Sequence, residues 1–104
     1  MLGRSAKYEE SLAISRALLE ELGPPEARRD VTISLERIAG IEQARGDLDA
    51  ALAKYEESLA ISRALLEELG TPEARRDVTL SLLRVADIEK ARGDLDAALA
   101  KYEE

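Results

Sequence analysis

The chain has 104 residues and a formal net charge of −7, and it contains no cysteine, histidine, tryptophan or phenylalanine. The missing histidine and cysteine remove the usual transition-metal ligands, the commonest general base, the thiol nucleophile and any disulfide. The acidic charge argues against non-specific nucleic-acid binding. No apolar run approaches the roughly 20 residues of a membrane span. Residues 1–5 lack the apolar segment of a signal peptide. We expect one domain over residues 1–104, located in the cytoplasm, without nucleic-acid or membrane partners.

Apolar spacing and helix-end residues predict five helices, at about residues 5–22, 26–45, 48–69, 73–92 and 95–104. Pro25 suits the first turn of the second helix, although Pro24 before it has no side-chain group that could cap the helix. Asp47 is a good N-cap for the third helix, and Gly70 supplies the left-handed residue that ends it. Thr71 is the expected cap of the fourth helix. No segment alternates with period two for long enough to indicate a strand, so the fold class is all-α.

The third helix carries its core-facing residues at alternating spacings of four and three, which is typical of a helix that buries one face. These residues are Leu48, Leu52, Tyr55, Leu59, Ser62, Leu66 and Leu69, with Ala51, Ser58, Ile61 and Leu65 on an adjoining stripe. Tyr55 is expected to pack between helices, with Leu52, Leu59 and Leu66 largely buried. The helix should run unbroken past Arg63, because no proline interrupts the pattern.

The chain repeats itself with a period of 47 residues. Residues 7–23 recur unchanged at 54–70, and residues 7–57 align with 54–104 with six mismatches. A fixed period of this size indicates a repeat array, in which each unit buries its apolar face against the next. Such arrays usually present an extended surface to other proteins. The connections between helices are too short for anything but antiparallel neighbours.

Residues 39–59, and again residues 86–102, resemble the tetratricopeptide repeat. In that family a small residue and a glycine–acidic turn join helix A to helix B, and an alanine and then an aromatic residue on helix B pack against helix A. The matching residues here are Ala39, Gly46-Asp47, Ala51 and Tyr55 in one copy, and Ala86, Gly93-Asp94, Ala98 and Tyr102 in the other. The resemblance implies a right-handed α-solenoid of antiparallel helix hairpins, with helix A (26–45 and 73–92) on the concave side.

The chain also departs from the family pattern. The helix-A tryptophan position reads Leu35 and Leu82, and the helix-A tyrosine position reads Glu42 and Glu89. Arg63 replaces the proline that usually ends helix B, so helix B continues, and the period is 47 residues rather than about 34. This pattern is similar to the long-repeat variant found in kinesin light chains.

No arrangement of residues indicates catalysis, and neither a cofactor nor a metal is expected. The serines have no histidine partner, and no lysine can be assigned to a Ser–Lys dyad. Asp47-Leu48-Asp49 superficially resembles the start of a calcium loop, but it lacks the sixth-position glycine and the twelfth-position glutamate. A helix cap is the preferred interpretation of this segment.

The two copies differ mainly on helix A. The differing pairs are Pro24/Thr71, Ile33/Leu80, Glu36/Leu83, Ile38/Val85, Gly40/Asp87 and Gln43/Lys90. Positions 33, 36, 40 and 43 form one stripe, turned away from the packed residues of helix A. The resemblance places this stripe on the concave face, where such repeats hold peptides. The alternative is that exposed positions simply drift, but drift predicts differences on helix B too, and none occur.

These observations favour a non-enzymatic protein-interaction module that binds an extended or helical segment of a protein or peptide in a shallow groove. The residues expected to bind the partner are Ile33, Glu36, Arg37, Gly40, Gln43, Leu80, Leu83, Arg84, Asp87 and Lys90. Arg37, Arg84 and Lys90 would pair with ligand carboxylates, and leucines would supply apolar anchors. The alternative is a structural, self-assembling repeat, and an enzyme is a distant third.

Self-association is expected because neither terminal helix has the polar outer face that usually caps a soluble array. On the first helix Leu12, Leu19 and Leu22 can be only partly covered, and the last helix presents Leu95, Leu99 and Tyr102. Lys-Tyr-Glu-Glu occurs at both 7–10 and 101–104 and would overlap in a coaxial join. A closed homodimer is therefore favoured over an open filament.

Overall fold

The computed structural model describes Glu9 and residues 23–104, so the predicted helix at 5–22, with its exposed leucines, lies outside the described residues. The remainder forms four α-helices: α1 (Pro25–Ala44), α2 (Leu48–Leu69), α3 (Pro72–Ala91) and α4 (Leu95–Glu103). No strand occurs within this described part, and the all-α class is confirmed. The predicted bounds of these helices lie within one residue of the observed ones.

The helix ends are capped as the sequence predicts. The side chains of Asp47, Thr71 and Asp94 each accept a hydrogen bond from the backbone amide three residues on, at 3.1–3.2 Å. Pro24 precedes α1 without a side-chain cap. Gly70 ends α2 with a φ of 61°, a left-handed conformation that favours glycine because it has no Cβ.

Helix α2 runs without a break through residues 61–63, which confirms that the pattern continues past the family's usual proline position. Arg63 itself forms an ion pair with Glu104, beyond the end of α4. Helix α2 is therefore joined to the residue that follows α4 by a charged contact between two exposed side chains.

Consecutive helices pack against one another, so α2 lies against both α1 and α3, and α4 lies against α3. Connections of two or three residues make these neighbours antiparallel. Helices α1 and α3 are also joined directly, because Arg29 Nε lies 3.5 Å from Asp77 Oδ2 and Arg84 Nε lies 3.0 Å from Glu36 Oε1. The described chain thus places α1 and α3 side by side, with α2 packed against both.

The core has two parts, and α2 contributes to both. Val31, Leu35 and Ile38 of α1 are fully buried, and Ile61 packs against them. The larger part joins α1, α2 and α3. Its buried members are Ala39, Ala51, Tyr55, Leu59, Val85 and Ile88.

Burial along α2 differs in one respect from the sequence expectation. Tyr55 and Leu59 are buried, with 4% of each residue exposed, but Leu52 and Leu66 are only half-buried. Because α2 packs against two helices, its buried face is broad and takes residues from both stripes. Its buried residues are Ala51, Tyr55, Ser58, Leu59, Ser62 and Leu65.

A lysine–glutamate pair occupies the position where the resemblance departs from the family's helix-A tyrosine. Lys54 Nζ lies 3.3 Å from a Glu42 carboxylate oxygen, and Lys101 Nζ lies 3.6 Å from Glu89 Oε1. Glu89 is buried, so its charge requires a nearby cation. In each copy of the 47-residue sequence, an ion pair therefore joins two antiparallel helices at this position.

Tyr55 and Tyr102 occupy the same repeat position but differ in exposure, at 4% and 45%. We expect Tyr55→Ala to lower the free energy of unfolding by about 3–5 kcal/mol, because it leaves a cavity between three helices. The matched Tyr102→Ala should cost about 1 kcal/mol or less. Urea denaturation followed by circular dichroism measures both, and equal losses would contradict the packing described above.

Gly40 lies inside α1, where an added Cβ would meet no atom within 4 Å. We expect Gly40→Ala to raise the free energy of unfolding by about 0.5–1 kcal/mol, since alanine loses less backbone entropy in a helix. The control is Gly70→Ala, which should destabilise the chain by about 1–2 kcal/mol because of the left-handed backbone there. Thermal denaturation of both variants tests the difference, and two shifts of the same sign would be inconsistent with it.

Candidate functional site

A shallow groove lies between α1 and α3, and we call it the helix-A groove. Its central cavity has a volume of about 140 Å³. Ile33 and Leu80 line it on opposite sides, Ser62 of α2 contributes to the lining, and the Arg29–Asp77 ion pair borders it. Apolar side chains therefore alternate with charged ones along the groove.

The groove continues into a larger hollow of about 400 Å³, where the N-terminal ends of α1 and α3 meet the C-terminal end of α2. Arg29, Ser62 and Asp77 line both spaces. The hollow adds the apolar side chains of Leu65 and Leu69, and Leu69 is 45% exposed. A segment bound along the groove would find a further apolar anchor at this end.

The predicted partner-binding residues lie on the accessible side of α1 and α3. Glu36 is half-buried, and the other nine are exposed: Ile33, Arg37, Gly40, Gln43, Leu80, Leu83, Arg84, Asp87 and Lys90. Ile33, Glu36 and Leu80 come together in the central cavity. Leu83 instead lines a separate cavity that faces α4. All ten residues are thus at least partly accessible to solvent, but they do not form one continuous site.

Three of the residues on helix A that differ between the copies form side-chain hydrogen bonds within the described part of the chain. Glu36 accepts from Ser58 Oγ at 3.0 Å and also pairs with Arg84. Gln43 accepts from the Tyr55 hydroxyl at 3.4 Å, and Asp87 accepts from the Tyr102 hydroxyl at 2.7 Å. Part of the variation on helix A therefore serves contacts with helix B or with the next repeat.

Sequence reasoning missed the contribution of Arg29 and Asp77 to the groove. It considered the positions where the copies differ, together with Arg37 and Arg84, whereas Arg-Asp occurs unchanged at 29–30 and at 76–77. Adjacent opposite charges repeated in each unit can pair between successive units, as Arg29 does with Asp77. The repeated dipeptide was the available signal.

The tyrosine hydroxyls titrate differently from free tyrosine. Burial raises the pKa of Tyr55, and the neighbouring Arg84 guanidinium opposes that rise. The hydrogen bond to Asp87 raises the pKa of Tyr102, because ionisation would lose the bond and place two negative charges together. Both phenols therefore remain neutral donors to higher pH than a free phenol does.

Neither a metal site nor a membrane span emerges from the described residues. No group of three or more acidic residues there is arranged to hold a metal ion. Asp47 caps α2, and Asp49 Oδ1 lies 2.8 Å from Arg92 Nε, which confirms the helix-cap interpretation of this segment. No helix in this part of the chain is long and apolar enough to cross a membrane.

We expect Asp87→Asn to move the pKa of Tyr102 down towards its ordinary value of 10.0. The hydrogen bond to Asp87 stabilises the chain below about pH 10 and is lost as the pH rises through the raised pKa of Tyr102. Alkaline absorbance titration, with Tyr102→Phe subtracted to isolate this residue, measures the shift. The control is Asp96→Asn, which neutralises a carboxylate on α4 instead of the one on α3. An equal shift of the Tyr102 pKa in both variants would refute the hydrogen bond to Asp87 as the cause.

Comparison with known proteins adds no further site. No protein-family model, no curated protein and no solved structure matches this chain. The functional argument therefore rests on the residues of the chain itself.

Proposed function

We propose that this chain is a non-enzymatic protein-interaction module of the tetratricopeptide type, which holds an extended or helical peptide in the helix-A groove. The observation that carries the proposal is the exposure of two apolar side chains in that groove: Ile33 is 46% exposed and Leu80 is 44% exposed. Large apolar side chains that face each other between ion pairs offer anchors for a partner's apolar side chain.

Charge along the groove supports a ligand with both apolar and acidic groups. Lys90 is exposed at the far end of the stripe, and Arg84 borders the central cavity through its ion pair with Glu36. Carboxylates of a bound peptide would pair with these cations. The same proposal includes a right-handed superhelix with α1 and α3 on its concave side, as the resemblance implies. It also includes the absence of catalysis and a cytoplasmic location.

The test begins with a displayed peptide library selected on the immobilised chain. We expect Leu80→Ser and Lys90→Glu to weaken binding of a selected peptide, Leu80→Ser by about tenfold or more, because a buried apolar anchor is worth at least 1–2 kcal/mol. Both residues are exposed, so helicity and the melting temperature should not change. Fluorescence polarisation measures the affinity.

The control is Glu67→Lys, an exposed charge reversal on α2 away from the groove. It should leave the affinity within about twofold, in line with the small effect of an isolated surface charge. If Glu67→Lys weakens the selected peptides while the groove variants bind as the parent does, the groove is not the binding site.

The second candidate function is a structural, self-assembling repeat, with a homodimer favoured. Leu95, Leu99 and Tyr102 on α4 support it, at 64%, 56% and 45% exposure. Apolar side chains grouped on one short helix favour association with another surface. Light scattering after size exclusion tests this function: the mass should rise with concentration, and a mass of 11.4 kDa at high micromolar concentration would rule it out.

A further inference from the structure

The hollow at the end of the helix-A groove combines an apolar wall with two carboxylates. Leu65, which is buried, and Leu69, which is 45% exposed, line it from α2. Glu26 comes from α1 and Glu73 from α3, and both residues are exposed. The two glutamates occupy equivalent positions at the 47-residue offset. Each of the two helices that flank the groove therefore brings the same acidic residue to the hollow.

The charges of the hollow are not balanced by ion pairs. Within the described part of the chain, neither Glu26 nor Glu73 pairs with a lysine or an arginine. The other two charged residues of the hollow, Arg29 and Asp77, pair with each other at 3.5 Å. The single arginine of the hollow is therefore already engaged, and the two glutamates leave an excess of negative charge.

The helix ends around the hollow do not reverse this balance. A helix N-terminus carries about half a positive charge, and a C-terminus about half a negative charge. The N-termini of α1 and α3 thus offset only part of the charge of Glu26 and Glu73, which lie in their first turns. The C-terminus of α2 adds negative charge and has no basic residue in its last turn, whereas Lys90 and Lys101 occupy the last turns of α3 and α4. The hollow therefore favours a cation.

A basic side chain matches both the apolar and the acidic part of the hollow. The methylene groups of lysine and arginine pack along apolar surface while the charged group stays at the polar edge. Leu65 and Leu69 offer that apolar surface, and the two glutamates accept hydrogen bonds from the charged group. The volume of about 400 Å³ lies within the range of pockets that hold small ligands, so one side chain can enter.

We propose that the partner peptide of the helix-A groove carries a lysine or an arginine whose side chain lies in this hollow. The site is one end of the groove and so rests on the function proposed above. On α3, Glu73 precedes Leu80 by seven residues, which is about two turns or roughly 10 Å, and α1 repeats this spacing. The basic residue and the apolar anchor of the partner are therefore about three positions apart in an extended segment, or about seven in a helix. The acidic groups of the partner lie towards Lys90, at the opposite end.

The test uses the peptides selected from the displayed library on the immobilised parent chain. We expect lysine or arginine to be enriched at one position, at one of these two spacings from an apolar residue. Replacing that basic residue by glutamine in a labelled peptide should weaken binding to the parent by roughly fivefold, in line with the modest strength of partly exposed charge pairs. Fluorescence polarisation measures the affinity, and the loss should shrink at high salt because salt screens the interaction.

A double variant, Glu26→Gln with Glu73→Gln, identifies where the basic residue binds. It should bind the basic peptide roughly fivefold more weakly than the parent does, and it should no longer distinguish that peptide from its glutamine counterpart, because the two changes remove the same interaction. The matched control is Glu56→Gln with Glu67→Gln, which removes equal charge from exposed residues of α2 that do not line the hollow. Circular dichroism of each variant shows that the helices remain.

The outcomes separate the cation site from the groove that contains it. Selected peptides that Leu80→Ser weakens, but that lack a basic residue or bind the Glu26 and Glu73 double variant as tightly as the parent, overturn the cation site and leave the groove standing. Equal losses in the double variant and its control show a general effect of net charge and also overturn the site. A library that yields no binding peptide, or only peptides that Leu80→Ser does not weaken, overturns both.

Discussion

The packing of α2 against both α1 and α3 is the contact on which the rest of the described structure depends. Helix α2 supplies Tyr55 and Leu59 to the larger core, and Ile61 to the smaller one. Because small residues such as Ser58 and Ser62 line its buried face, neighbouring helices can approach it closely. The same contact brings α1 and α3 side by side, so the helix-A groove exists only while α2 remains in place.

The helix ends could be predicted from sequence because they depend on local chemistry. Asp47, Thr71 and Gly70 act within one turn of their own positions. The degree of burial along α2 could not be predicted from local sequence. Leu52 and Leu66 follow the helical spacing, yet they are only half-buried. Two helices pack against α2, and spacing along one helix does not show how wide its buried face is.

The candidate site, like the fold, could be predicted only in part from the sequence. The stripe of differing residues identified the accessible side of helix A, because a spacing of three and four sets a direction around a helix. It could not show that Asp87 accepts from Tyr102 or that Glu36 joins Ser58 to Arg84, since those contacts depend on the distance between helices. Variation between repeats thus reflects partly the internal hydrogen bonds and partly the exposed groove.

The 47-residue offset also determines how such a chain can be lengthened. Glu57-Ser58 is the junction inside the complete helix B, and joining Glu104 to a new Ser58 would recreate the same local sequence. A unit of residues 58–104 can therefore be inserted any number of times without creating a new peptide junction. Each inserted unit adds one more copy of the α3 sequence, so the number of units would set the length of the helix-A groove that we propose as the binding surface.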